Sequence, residues 1–302
     1  MSRLKANGLL LLAALIWGSA FVGQALGMAG VGPLTFTGVR FALGALVVAP
    51  LAWREWQALR AAVRLPGRAE LLWVVLLGGL LCTGVVMQQV GLMTTSVTNA
   101  GFLTALYVPL VPVLAWLFQR QLPHWSVWPA SVGSLLGVWL LTGASLQSLT
   151  TGDVWVLVSA VPWAVHVLLV GQVANKIRGA YLLACGQFGV CALVSGGLGG
   201  VFEATSADGL WAAAGALAYT GFLSVGVGFT LQVIGQRHAH PADAAIILSS
   251  ETVFAALFGA WLMGDRLAPT GLAGCALILG CILAVQWVPV ARRRAVAGLK
   301  PT

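Results

Sequence analysis

The chain has 302 residues, of which 59% are hydrophobic and only 8% are charged, and its mean hydropathy is +0.94. Because soluble domains carry about 25% charged residues, this composition excludes an ordinary water-soluble fold. A net charge of +8 would favour nucleic acid or an anionic surface in a soluble protein, but in a membrane protein basic cytoplasmic loops explain it.

Apolar runs of about 18 residues or more, each long enough to cross a hydrocarbon core of roughly 30 Å, recur along the chain. Glycine, proline and charged residues divide these runs into predicted helices. We interpret the first run as structure rather than a signal peptide, because it is long and has a counterpart later in the chain. Ten helices are predicted, at about 7–27, 33–53, 69–90, 96–118, 125–143, 153–173, 179–201, 209–235, 241–263 and 269–290.

Basic residues distinguish the two ends of these helices. With ten spans both termini lie on one side, and fourteen of the sixteen Lys and Arg residues fall in the loops and termini of that side. The opposite side receives Arg266 together with Asp153, Glu203, Asp208 and Asp265. This distribution predicts an integral protein of a bacterial-type inner membrane with both termini in the cytoplasm. The fourteen are Arg3, Lys5, Arg54, Arg60, Arg64, Arg68, Arg120, Lys176, Arg178, Arg237, Arg292, Arg293, Arg294 and Lys300.

The chain matches itself when it is shifted by about half its length. A shift of 145 residues aligns Ala105–Phe118 with Ser250–Met263, including the sequence AWL in both segments. A shift of 146 residues aligns Trp17 with Trp163. The identity is low, but the match indicates an internal repeat.

The loop charges support this repeat. Loop 54–68 carries four arginines, whereas the corresponding loop 202–208 carries two acidic residues and no base. An odd number of helices per half inverts the second half in the membrane, and the charges follow that inversion. The sequence therefore predicts an all-α fold of ten transmembrane helices in two inverted-topology repeats of five, residues 1–148 and 149–302.

Three stretches resemble the EamA-type transporters of the drug/metabolite transporter superfamily: IWGSAFV in the first helix, the helix that contains Arg40, and the run from Ser249 to Leu283. The resemblance implies two inverted five-helix repeats, a central cavity, and proton-linked or facilitated export of small metabolites or toxic compounds. Two positions depart from the family pattern. Thr252 stands where proline commonly follows the glutamate, and QRQL (Gln119–Leu122) stands where a glutamate often ends the fourth helix.

Two ionisable residues lie deep in predicted helices. At 1.5 Å per residue, Glu251 is about 15 Å from the helix start near Pro241, which is the bilayer centre. Arg40 lies about 10 Å into the second helix. Because an unpaired charge is costly there, both are candidates for substrate binding, and Glu251 is also a candidate proton carrier. Structural hydrogen bonds to neighbouring helices would explain both residues as well.

Aromatic and polar side chains provide further candidates. Trp17 and Gln24 share a face of the first helix, while His166 shares a face with Trp163, three residues before it. A histidine in this position could relay protons, although a nearby acceptor could also satisfy it in a purely structural role. Packing would likewise explain the tryptophans.

In the fourth helix Asn99 and Tyr107 lie eight residues apart on one face, beside prolines that free backbone carbonyls. Gln88, Gln89, Gln187 and Gln232 are weaker candidates. The predicted substrate-binding or coupling residues are Trp17, Gln24, Arg40, Asn99, Tyr107, Trp163, His166 and Glu251.

These residues favour a secondary transporter that exports an amino acid-like metabolite or a xenobiotic. Uptake, or passage through a facilitator or channel, is compatible with the same residues. An intramembrane enzyme is disfavoured because no HExxH, paired aspartates or nucleophile motif occurs, and no GxxxxGK[ST] loop indicates ATP binding. No cofactor, metal or nucleic-acid partner is predicted. The partners are a small molecule and membrane lipid, and the GSLLG sequence at 133–137 would permit a homodimer.

Overall fold

We describe a computed structural model of the chain for residues 1–28, 30–95, 97–120, 122–141, 150–177, 179–264 and 268–298. Within these ranges the fold is entirely helical, without strands. The predicted repeat boundary at 148/149 and the loop residues Asp265 and Arg266 lie outside the described residues, as do Gln121 and Arg178.

A helix, or a series of helices, occupies each of the ten predicted spans. In the described ranges seven helices are long and apolar enough to cross a membrane, and three shorter ones, Tyr107–Phe118, Val127–Leu140 and Pro269–Ala284, are also apolar. The α-helices are α1 (Arg3–Gly27), α2 (Pro33–Ala61), α3 (Arg68–Gly91), α4 (Val97–Thr104), α5 (Tyr107–Gln119), α6 (Val127–Leu141), α7 (Thr151–Val173), α8 (Ala180–Phe202), α9 (Ala207–Ala212), α10 (Ala214–Tyr219), α11 (Thr230–Gln236), α12 (Pro241–Leu248), α13 (Glu251–Phe258) and α14 (Pro269–Gly298).

Two helices are longer than the sequence analysis predicts. The second helix continues to Ala61, so Arg54 and Arg60 lie on its last turns rather than in a loop. The segment after residue 53 contains good helix formers and neither glycine nor proline, so the helix extends past the apolar run. For a similar reason the last helix, α14, reaches Gly298 instead of ending near residue 290.

Two of the predicted spans are broken near their middles. The fourth span divides into α4 and α5 at Ala105–Leu106, and the ninth divides into α12 and α13 at Ser249–Ser250. The shift of 145 residues relates Ala105 to Ser250, so the breaks occupy corresponding positions of the two predicted repeats.

The two breaks have different chemical causes. Pro109 lacks the N–H that would bond to the Ala105 carbonyl in an α-helix, and the Val108 N–H donates to that carbonyl instead, at 3.0 Å. At the other break the hydroxyls of Ser249 and Ser250 donate to backbone carbonyls three residues earlier, both at 2.7 Å. Side chains thus satisfy the interrupted backbone without the proline that the family pattern would supply.

Two segments adopt the wider π-helical form, Thr220–Phe229 between α10 and α11, and Gly259–Met263 after α13. The first segment is unusually long for a π-helix, and such segments are frequent at functional sites. It continues the eighth predicted span, which therefore has a different side-chain register from an uninterrupted α-helix.

Helices α2 and α8 run antiparallel, and a carboxylate at the end of each binds the start of the other. Glu203 accepts hydrogen bonds from the backbone N–H groups of Leu34 and Thr35, both at 2.8 Å. Glu55 accepts from two N–H groups in the first turn of α8, at 3.1 and 3.0 Å. These groups lack partners within a helix, and the positive end of the helix dipole favours a carboxylate there.

The GSLLG segment of α6 faces α14 within the same chain. A β-carbon at Gly137 would lie 2.8 Å from Ile278, and one at Gly133 would lie 2.5 Å from Cys281. The two glycines therefore permit close packing of α6 on α14. A homodimer through this segment stays a prediction.

Candidate functional site

A cavity lies between the two predicted halves. The walls come from α1, α2, α3 and both parts of the fourth span on one side, and from α7, the π-helical segment, α11 and both parts of the ninth span on the other. The breaks in both spans thus lie at the cavity. Irregular backbone in a membrane is tolerated where it is buried in protein or lines such a space.

Glu251 is the first residue of α13, directly after the break at Ser249–Ser250. Its side chain lines the cavity and is only 6% exposed. No other residue in the described part of the chain forms a hydrogen bond or an ion pair with its carboxylate. A salt bridge outside the cavity joins Arg3 to Asp243, at 2.8 Å. A buried carboxylate in this position is costly unless it is protonated, hydrated or bound to a ligand.

Arg40 reaches the same cavity from α2 and is 3% exposed. Its guanidinium lies 5.7 Å from the ring centre of Phe36 and 5.5 Å from that of Phe41, which are cation–π contacts. Among the described residues its Nε has no hydrogen-bond partner and its charge has no carboxylate partner. Arg40 and Glu251 are therefore a basic and an acidic side chain at one cavity that form no ion pair with each other.

Aromatic rings form much of the remaining wall. Phe229 lies at the centre, 4.6 Å from the ring of Trp17 and 6.0 Å from that of Trp163, with which it stacks almost in parallel. Phe21 also lines the cavity. Sequence reasoning missed Phe229, because phenylalanine is common on lipid-facing surfaces and the π-helical segment changes the register that would reveal its direction.

Polar side chains complete the cavity. Gln24 and Gln232 each present a buried amide oxygen without a partner in the described residues. Gln88 also lines the cavity and donates to the Thr104 hydroxyl at 2.8 Å. The Tyr107 hydroxyl donates to the backbone carbonyl of Ala245 at 3.3 Å. The unpaired oxygens are acceptors available to hydrogen-bond donors of a ligand.

The structure brings six of the eight predicted residues to this cavity. Two are not placed there. His166, 1% exposed, lies behind Trp163, and its Nε2 is 2.7 Å from the side-chain oxygen of Gln187. Because Gln187 uses its amide nitrogen on the Leu183 carbonyl, the histidine is the donor in this pair. Asn99 belongs to α4, but its side chain lies outside the described residues. The six at the cavity are Trp17, Gln24, Arg40, Tyr107, Trp163 and Glu251.

Long apolar helices around a buried cavity with polar and charged walls are characteristic of integral membrane proteins that handle small solutes. The model of the EamA-like transporter family matches residues 4–143 and again residues 150–286, and the chain belongs to this family. The family predicted from the sequence is confirmed, and with it the assignment as an integral membrane protein.

Two individual proteins extend this comparison. An "Uncharacterized transporter" of Archaeoglobus fulgidus is 29% identical over 286 residues, which cover 95% of this chain and 87% of that protein. A solved structure described as "Crystal structure of protein" superposes with a TM-score of 0.78 at 19% identity, over 95% of this chain and 99% of the other. At that identity the second likeness shows the fold alone.

Proposed function

We propose that this protein is a secondary transporter that exports a small zwitterionic solute, such as an amino acid, by alternating access through the central cavity. The observation that carries the proposal is the presence of Arg40 and Glu251 at one cavity without ion-pair partners in the described residues. Export follows the family resemblance of the sequence, and uptake would use the same residues.

The charges support a zwitterion on energetic grounds. Two buried charges that served only the fold would gain most by pairing with each other, because an uncompensated buried charge costs several kcal/mol. A solute with a carboxylate and an ammonium group supplies a partner to each. A guanidinium binds a carboxylate in a bidentate manner, and charge-assisted hydrogen bonds are about twice as strong as neutral ones.

The uncharged wall supports the same class of solute. The free amide oxygens of Gln24 and Gln232 are suited to the N–H donors of an ammonium group. Trp17, Trp163 and Phe229 provide apolar and aromatic surface for a side chain. A cavity that is mainly apolar, with a few polar groups that orient the ligand, is typical of small-molecule sites.

Two inverted repeats of five helices, with a boundary near residues 148 and 149, would provide alternating access. Three observations support this arrangement: the family model matches two successive segments, the two helix breaks occupy related positions, and α2 and α8, which are second in each half, run antiparallel with reciprocal carboxylate caps. Transporters with inverted repeats bind substrate near the bilayer midplane, beside discontinuous helices.

Protons are the proposed energy source. Glu251 has no protein partner in the described residues to fix it in the charged form, so it can bind either a proton or the ammonium group of the solute. If the two compete, release of solute on one side and a proton on the other would be coupled. His166 does not line the cavity and bonds to Gln187 through Nε2, so we assign it no proton transfer.

A second candidate substrate is an organic cation of the xenobiotic type. It is favoured by the contacts of Arg40 with Phe36 and Phe41, which give the guanidinium a structural role. Glu251 and the aromatic wall would then bind the cation. A channel or an intramembrane enzyme is a less suitable reading, because the cavity is buried between two halves and lacks a motif for a chemical step.

We further propose a bacterial inner membrane, with both termini in the cytoplasm. Basic residues at one end of the helices, including Arg60 and Arg237, support this orientation, as do the acidic residues Glu203 and Asp208 at the other end. Impermeant labelling of single cysteines at positions 60 and 206 tests it. Opposite compartments are expected, and labelling from the same side would contradict the inverted repeat.

Transport is tested with purified protein in two steps. A thermal-shift screen of amino acids, organic cations and other metabolites first identifies solutes that stabilise the protein by binding. Counterflow in proteoliposomes then follows the strongest of them. A transporter shows stimulation by solute on the opposite side, whereas a channel shows none and an enzyme consumes the solute.

A further inference from the structure

The tryptophans that the 146-residue shift relates, Trp17 and Trp163, meet their neighbours in similar ways. The Trp17 ring lies against Gly228, where a β-carbon would be 2.7 Å from the indole Nε1. The Trp163 ring lies against Gly84, where a β-carbon would be 3.4 Å from Nε1. Gly84 belongs to the third span of the first predicted half and Gly228 to the third span of the second. Each tryptophan therefore packs on a glycine of the opposite half.

The two indole N–H groups nevertheless differ. Trp17 Nε1 donates to the backbone carbonyl of Ser224 at 3.1 Å. Trp163 Nε1 is buried and has no acceptor among the described residues. A buried donor without a partner is unfavourable and requires an explanation. An arrangement of the same protein in which this donor is satisfied would provide one.

The helix on which each ring lies explains the difference. Ser224 is four residues before Gly228 in the π-helical segment, where carbonyls bond five residues ahead and the backbone is wider, so Trp17 can reach this carbonyl. The carbonyl in the same relation to Gly84 is that of Leu80. Since α3 is an α-helix with a narrower backbone, the Leu80 carbonyl accepts from the Gly84 N–H, and the Trp163 N–H forms no bond to it.

Helix α3 has the composition to change form at this point. Gly78, Gly79 and Gly84 fall within seven residues, and glycine weakens an α-helix. The Thr83 hydroxyl also donates to the Gly79 carbonyl at 2.8 Å, a contact that often bends helices. The π-helical segment of the other half likewise contains three glycines.

We propose that the two tryptophans are alternate locks of the transport cycle. In the state seen here Trp17 holds the third span of the second half in its π-helical form. In the opposite state that segment becomes α-helical and releases Trp17, while α3 widens and the Leu80 carbonyl accepts the Trp163 N–H. The inference rests on the proposed alternating access and adds to it the hydrogen bond that distinguishes the two states.

Matched substitutions test this exchange. Trp17→Phe removes the lock of the present state, and Trp163→Phe removes that of the opposite state; both delete the same atoms. Because one hydrogen bond distinguishes the states, the two variants are expected to change their ratio in opposite directions, each by about threefold to tenfold. Trp155→Phe, at a half-exposed position on α7, is the control and leaves the ratio unchanged.

The indole ¹H–¹⁵N signals of tryptophan-labelled protein in nanodiscs measure the ratio, because they report hydrogen bonding of each N–H. Assignment uses the signals that the two variants lose. In Trp17→Phe the Trp163 signal is expected to acquire a hydrogen-bonded population, and amide exchange in α3 near Gly84 should increase. The proposal would be overturned if the Trp163 N–H stays without a hydrogen bond in Trp17→Phe, or if both variants change the ratio of the two states in the same direction.

Failure of the locks is distinguishable from failure of the transporter assignment. Counterflow by the wild-type protein with no exchange of indole signals would contradict only the locks. If either phenylalanine variant folds poorly, replacement of the tryptophan by benzothienylalanine keeps the ring and removes the N–H. The same opposite shifts are expected from that pair, and their absence in well-folded protein would also overturn the proposal.

Discussion

The carboxylates Glu203 and Glu251 show two uses of the same chemical group. Glu203 lies at the end of α8 and accepts two backbone N–H groups of α2 at 2.8 Å, so its charge is satisfied by the fold. Glu251 lies at a helix break beside the cavity and has no partner in the described part of the chain. The carboxylates at the helix ends are thus satisfied by the fold, whereas Glu251 is the carboxylate that we propose binds the solute.

Replacement of Glu251 should give the largest effect on transport. Glu251→Gln is expected to reduce proton-driven transport about 30-fold or more, since removal of one partner of a buried charged contact costs about 2–5 kcal/mol. Transport driven by an imposed pH gradient in proteoliposomes measures this. Glu251→Asp, which keeps the carboxylate, should retain part of the activity. Unaltered proton-driven transport by the glutamine variant would remove Glu251 from the coupling mechanism.

Replacement of Arg40 should come next. Arg40→Gln is expected to weaken binding of a carboxylate-bearing solute by about 10-fold to 100-fold, the value of a hydrogen bond to a charged group. Arg40→Lys keeps the charge without the bidentate geometry, so its affinity should lie between those of the wild type and Arg40→Gln. Binding by calorimetry measures both variants. If both variants lose folded protein but the folded fraction keeps the wild-type affinity, Arg40 serves to pack against Phe36 and Phe41.

The aromatic wall should contribute less. Trp17→Ala and Trp163→Ala are each expected to weaken solute binding by about 10-fold, because aromatic contacts contribute about 0.5–1.5 kcal/mol beyond the area they bury. Affinity per folded molecule is compared with Trp155→Ala, which changes the same residue type away from the cavity. A fall in folded yield alone would favour the packing interpretation.

Glu203 should give the smallest effect on function. Glu203→Gln is expected to lower the free energy of unfolding by about 1 kcal/mol, the usual value of a helix-capping contact. Transport per folded molecule should stay unchanged. Thermal unfolding in detergent measures the first quantity, with Asp208→Asn at an exposed position as the control. Loss of transport by folded Glu203→Gln would show that the two carboxylates do not differ in the way proposed.

The sequence predicted the position of the spans and most of the charged site. Composition and hydropathy locate the helices, and Arg40 and Glu251 are conspicuous because they interrupt apolar runs. The break at Ser249–Ser250 was not predictable in the same way. Thr252 replaces the usual proline, and two serine hydroxyls satisfy the carbonyls, which a sequence pattern does not reveal.

Tertiary packing limits prediction of the remaining residues. Phe229 lies in a π-helical segment, where the α-helical spacing assigns side chains to the wrong face. His166 shares a face with Trp163, as the spacing predicts, but it lies edge-on behind the ring and bonds to Gln187 instead of reaching the cavity. The spacing gives the face of a helix without the depth of each side chain.

The central claim, that Arg40 and Glu251 hold opposite ends of one solute, is tested most directly by binding of three related compounds to three proteins. The compounds are an amino acid that the thermal-shift screen identifies, its methyl ester and its N-acetyl derivative; the proteins are the wild type, Arg40→Gln and Glu251→Gln. The wild type should bind the amino acid more tightly than either derivative. Arg40→Gln should bind the methyl ester as well as it binds the amino acid, and Glu251→Gln should bind the N-acetyl derivative as well as it binds the amino acid. If both substitutions weaken all three compounds to the same extent, the two residues do not recognise the two charges of the solute.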